Sequence, residues 1–199
     1  MTPRIGILKK AAILSVLLFV SQASLPQSAA PQVTASPSAS KDALKVIDRF
    51  LELDLQGKQF SAEGWNEIAT LFTAAAATPS FRTIIVVKDC VVGPPRRIGK
   101  QKLEVGTESI TIGKIDVSPS PKQFSVYPFM PGVTYIKVQS IFHLLRTRSA
   151  DWKIEGAPPA PHLMVDAAVR YMTKARDEAT DPAIRKNAER TLAWLKKQG

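Results

Sequence analysis

Residues 134–146, TYIKVQSIFHLLR, alternate along their length: Ile136, Val138, Phe142 and Leu144 fall on one side of an extended chain, and Lys137, Gln139, Ile141 and His143 on the other. A period of two with one apolar and one mixed face is the pattern of an antiparallel strand packed on a core from one side. The neighbouring sequence extends this sheet. Residues 81–92, FRTIIVVKDCVV, are β-branched and apolar and predict a largely buried strand, broken by Gly93-Pro94-Pro95. Leu103 and Val105 predict a short second strand. In residues 109–117, SITIGKIDV, Ile110 and Ile112 alternate and Gly113 shifts the phase before Ile115 and Val117, so a bulge is expected at Gly113. A Pro-Ser turn at 118–122, a strand at 123–127 and a closing strand at Trp152-Lys153-Ile154 complete the sheet.

Helices flank it on both sides in the chain. Residues 42–56 carry Leu44, Ile47, Leu51 and Leu55 at helical spacing, with Ala43 and Phe50 widening the stripe, Ser40 as cap and Gly57 as stop. Ser61 caps a second helix in which Trp65, Ile68, Ala69 and Phe72 share a face, and the alanines at 74–77 extend it toward Thr78-Pro79. After a Pro-rich break at 156–161, Met164, Ala168, Tyr171, Met172 and Ala175 form one stripe. Ile184, Ala188, Thr191, Leu192 and Leu195 form another, opened by Asp181-Pro182 as N-cap and first helical residue. Two matching stripes joined by a short turn predict an αα-hairpin. The expected class is α+β: N-terminal helices packed on a curved antiparallel sheet, plus a C-terminal αα-hairpin.

Three stretches resemble the NTF2-like superfamily, which includes SnoaL-type and ketosteroid-isomerase-like proteins. Residues 46–57, VIDRFLELDLQG, are similar to its opening helix ending at a glycine. Residues 68–72, IATLF, are similar to its second helix, and residues 134–145 followed by Asp151-Trp152-Lys153-Ile154 to its last paired strands. The resemblance covers residues 42–155 and implies a cone whose sheet lines an apolar pocket, often in a homodimer. A third helix of that family is not visible here, and the helical tail is an addition. Some members carry an Asp base and a Tyr donor in the cone. No motif places Asp89, Asp116, Tyr127 or Tyr135 in those roles, so no catalytic residue is carried over, and a fold by itself implies no activity.

The N-terminus reads as an export address. Arg4, Lys9 and Lys10 precede the apolar run 11–20, AAILSVLLFV, and Ser21-Gln22-Ala23 offers small residues for cleavage. Ten apolar residues fall short of the roughly 20 needed to span a bilayer, so a cleaved signal peptide over 1–23 is expected, with an uncleaved anchor as the alternative. The protein is then secreted or periplasmic. Residues 24–41, rich in Ser, Ala and Pro, are expected to be a flexible linker, residues 42–156 the α+β domain and residues 157–199 the helical hairpin. Without the three basic residues of the signal, 24 basic side chains face 17 acidic ones, a net +7. Such a balance favours anionic surfaces or small anions.

Chemistry-bearing patterns are sparse. Cys90 is the only cysteine, so no internal disulfide forms; it sits in an apolar run and is expected to be a buried, inert thiol. His143 and His162 have no ligand spacing, so no metal is expected. The segment 93–101 has five residues between its glycines, two prolines and Gln101 where a phosphate loop needs Ser or Thr. G-x-S-x-G is absent. The carboxylates Glu52 and Asp54, and Asp177 and Glu178, read as solvated ion-pair faces. Arg96, Arg97, Lys100 and Lys102 form a candidate anion-binding cluster, or else a solvated hairpin loop whose charges guard an edge strand. No aromatic residue stands beside them for nucleic-acid stacking. No catalytic residue and no cofactor are assigned. The reading is an exported non-catalytic binding or accessory domain that takes a small apolar ligand or a protein partner. The alternatives are an isomerase- or hydrolase-type enzyme working in an NTF2-like pocket, and a basic-loop binder of anionic surface polymers.

Overall fold

The computed structural model of the protein describes residues 37–74, 82–119, 122–127 and 134–198. The export address, residues 24–36 of the Ser/Ala/Pro stretch and the alanines at 75–77 lie outside them. Helix α1 (Pro37–Leu55) leads through a 3₁₀ turn (Lys58–Phe60) into α2 (Ala62–Leu71). The strands follow as β1 (Thr83–Gly99), β2 (Lys102–Pro119), β3 (Lys122–Tyr127), β4 (Ile136–Arg146), β5 (Trp152–Ile154) and β6 (His162–Met164), and the chain ends in α3 (Val165–Asp177) and α4 (Pro182–Leu195). Helices first, then long strands curled against them, is the order of the NTF2-like cone that the sequence resembles.

β2 is the spine of the sheet. One edge pairs with β1 along nearly its whole length; the other pairs with β4 over residues 102–111 and with β3 over residues 114–119. β5 extends β4, and β6 lies on the outer edge of β1. The β6 pairing is parallel, which corrects the expectation of a purely antiparallel sheet: β6 comes after the whole sheet has been laid down and arrives in the direction of β1.

Four further expectations are corrected. Gly93-Pro94-Pro95 does not end the first strand; β1 runs through it with a register shift between Val92 and Pro95. Proline is tolerated there because it falls in a bulge, and beyond Val87 the outer edge of β1 has no strand partner among the described residues that would need its N–H. Leu103, Val105 and residues 109–117 accordingly belong to one strand, β2. Helix α2 stops at Leu71, and Phe72 bridges to Ile154 as an extended residue. Helix α1 begins at Pro37, inside the expected linker, with proline's fixed φ suited to a first helical turn, so Ser40 lies within the helix and does not cap it.

Other local signals read as expected. The irregularity near Gly113 makes Ile112 the extra residue of β2, followed by Lys88 as the extra residue of β1. Ser61 accepts from the Gly64 N–H at 3.1 Å and Asp181 from the Ala183 N–H at 2.7 Å. Gly57 adopts φ +78°, a left-handed conformation open to glycine at low cost, and turns the chain after α1. Gly64 is required by close approach, since a Cβ there would collide with the Lys58 carbonyl.

Two apolar clusters sandwich the sheet. Against α1 and α2 lie Leu103, Val105, Leu144, Trp152 and Ile154, packed with Ala43, Ile47, Phe50, Leu53, Trp65, Ile68 and Phe72. Against the hairpin lie Ile84, Val86, Ile112, Ile115 and Leu163, packed with Ala167, Ala168, Met172, Ala188, Leu192 and Leu195. The hairpin therefore shares a core with the sheet rather than standing apart from residue 157 onward. Along β1, Val86 joins the hairpin cluster while Val87 lines the cavity beneath α1, the alternation expected of a strand buried on both faces.

Candidate functional site

The cavity under α1 holds the only buried carboxylate among the described residues. Ala43, Ile47 and Phe50 recur at helical spacing along the inward face of α1, and Asp54 continues that series. Its side chain is 5% exposed. Four contacts converge on it. Gln59, delivered by the turn at Gly57, donates Nε2–H to Oδ1 at 3.1 Å. The backbone N–H of His162 donates to both oxygens at 3.2 and 3.3 Å. The His162 ring approaches Oδ2 through Nδ1 at 3.1 Å. His162 is held in turn by the parallel β6 pairing, with the Ile85 N–H donating to the Pro161 carbonyl at 2.8 Å.

Burial pushes the Asp54 carboxyl above its usual range; the contacts from His162 pull it back without cancelling the rise. In the tautomer that carries its proton on Nδ1, the His162 ring donates to Asp54 and leaves a lone pair on Nε2. Such an oriented imidazole is a general base in form. The same cavity is bordered by Cys90, Thr107, Ser109 and Ser140, with Phe50 and Phe142 as walls. Its free volume is about 20 Å³, room for a single water molecule.

The sequence reading missed this pair. It placed Glu52 and Asp54 together on a solvated face. Glu52 is there, bound to Arg49 at 2.7 Å, but Asp54 points inward. The signal was present as a polar residue in phase with the buried stripe. Its partner lies 108 positions away, and no local pattern links them. Cys90 is half-buried, lining the cavity instead of filling the core. Burial, and then the Asp89 and Asp54 carboxylates, raise its thiol and keep it protonated. Asp89 accepts from the Cys90 N–H, Asp116 binds Thr83 and Lys114, and Tyr135 is 52% exposed.

The basic cluster is not brought together as one site. Arg96 binds Glu104 at 2.8 Å and Lys102 binds Glu155. Arg97 falls on the opposite face of β1 from Arg96, and Lys100 stands in the turn between β1 and β2. His143, on the mixed face of β4, lies 3.6 Å from Glu104 and 3.8 Å from Glu155. Hydrogen bonds from Arg96 and Lys102 hold these two carboxyls below their usual range. Among the described residues no group of three His, Cys, Asp or Glu is arranged to hold a metal, and no helix is long and apolar enough to cross a membrane.

No family model matches the sequence, and no curated protein matches it. Among solved structures, the fold is similar to an NTF2-like protein involved in plasmid conjugation. Identity is 8%, the match covers 61% of this chain and 50% of that one, and the TM-score is 0.38. The chain thus spans about half of that protein's length. Likeness at this level carries no argument.

Proposed function

We propose that this chain is an exported binding or accessory domain whose ligand or protein partner is held outside the cone. One observation carries this reading: among the described residues, the cavity beneath α1 has a free volume of about 20 Å³, below the roughly 300 Å³ of small-molecule sites. Asp54 and His162 act there as a bolt between α1 and β6. Export rests on the pattern of residues 1–23. Intact mass of the protein recovered outside the cytoplasm tests that part, and a mass beginning at Met1 overturns cleavage. The binding part is tested by melting-temperature shifts with apolar and anionic compounds, alongside pull-down from the exported fraction. Silence in both overturns it.

A second reading, an acid–base enzyme of the cone, is favoured by one observation: the buried Asp54 Oδ2 lies 3.1 Å from His162 Nδ1, a contact that orients the ring. It requires α1 to move and admit a substrate. Turnover abolished by His162→Gln at unchanged melting temperature supports the enzyme; turnover indifferent to that change, or none with any substrate, rejects it.

A further inference from the structure

The hairpin leaves a groove of about 610 Å³ where the start of α3 and the end of α4 meet β1. Its floor is Met164, Val165, Val169 and Leu195, and its lining is mostly apolar. Lys88 and Lys196 stand at its rim. Lys88 is the extra residue of the β1 bulge, and Lys196 is the C-cap of α4. Neither makes an ion pair among the described residues. Among the described residues the one carboxylate in the lining, Asp166, is bound to Arg170 at 2.6 Å, and the two charges there that remain open are both positive.

We infer that this groove binds an unbranched amphiphile with a single negative head, a long-chain carboxylate, its chain on the aliphatic floor and its head between Lys88 and Lys196. A volume of this size suits one chain and its head group. Among the described residues, a cationic head would meet two lysines and no unpaired carboxylate. This deepens the binding reading above and rests on it.

Titration of the purified chain with dodecanoate below its micelle concentration tests the assignment. One molecule bound per chain is expected, with affinity rising about fourfold per added methylene until the floor is covered. Val169→Trp fills the groove and abolishes binding. Lys88→Ala with Lys196→Ala, both exposed and outside the core, weakens binding about fivefold and flattens its salt dependence. Those variants keep the test open if Val169→Trp fails to fold. Dodecanol is expected to bind about fivefold more weakly than dodecanoate, by loss of the same charge pairing.

Equal affinity for dodecanol or dodecyltrimethylammonium overturns the inference, as does binding untouched by Val169→Trp. A dimer that Val169→Trp dissociates overturns it too, since the occupant is then a second copy. Absence of dodecanoate binding while another compound or a captured partner engages the domain removes this inference and leaves the binding reading standing. Silence in every assay removes both.

Discussion

The two faces of the sheet are packed by different means. On the α1 side the core is aromatic: Phe50 meets Phe72 edge-on at 5.1 Å and Phe142 at 5.6 Å. Phe50 and Phe142, together with the Asp54–His162 pair, leave the cavity beneath α1 the volume of one water. On the hairpin side the core is built from Ala167, Ala168, Ala175 and Ala188 with Met172, Leu192 and Leu195. Small residues let the helices lie close to each other and to the sheet, and where the helices end an open groove remains. Bulky rings consume space and alanines leave it at the margins. Among the described residues, the cavity beneath α1 has room for one water, and a larger apolar groove lies beside the added hairpin.

That contrast can be broken from either side. The largest effect is expected from Phe50→Ala, which removes the ring joining both aromatic contacts: a loss of about 3–5 kcal/mol by denaturant unfolding. Met172→Ala, its counterpart in the other core, should cost about 2–4 kcal/mol. If the sheet separates two independent cores, the double variant should add within about 0.5 kcal/mol; a larger coupling would mean that the two sides pack as one body.

Asp54 provides a pH test of the cone alone. Its native carboxyl binds a proton more tightly than in the unfolded chain. Its contribution to stability is therefore complete below the unfolded value and is lost as pH rises through the native one. Asp54→Asn should flatten that fall in unfolding free energy, while Asp166→Asn in α3, whose carboxyl is lowered by Arg170, should leave it in place. The smallest effects are expected at the helix caps. Ser61→Ala beside the cone and Asp181→Ala in the hairpin should each cost about 1 kcal/mol, read from melting curves. A much larger loss at Ser61 would show that α2 also sets the closure of the cone.

Much of the architecture could be read from local rules. The alternation in β4, the buried start of β1 at Ile84, Val86 and Val87, the N-caps Ser61 and Asp181 and the stripes of α3 and α4 stand where their patterns place them, whereas Ser40 is not a cap and Val91 of the expected buried run is exposed. The errors share one cause. Pro94 and Pro95 look like a break because a proline inside a paired strand loses a hydrogen bond, yet at a bulge on an unpaired edge nothing is lost. β6 is three residues long, too short to show a period. Asp54 looks like a helix-surface acid because charged residues are almost never buried unless paired, and its partner is remote in sequence.

By itself the sequence determined the class, the progression from helices to sheet to helices and the amphipathic faces, because these follow from side-chain period and from capping within a few residues. Tertiary structure alone decided which carboxylate is buried, which bases are neutralised and where space is left. Those properties depend on contacts between segments far apart in the chain, and on volumes summed over several elements at once.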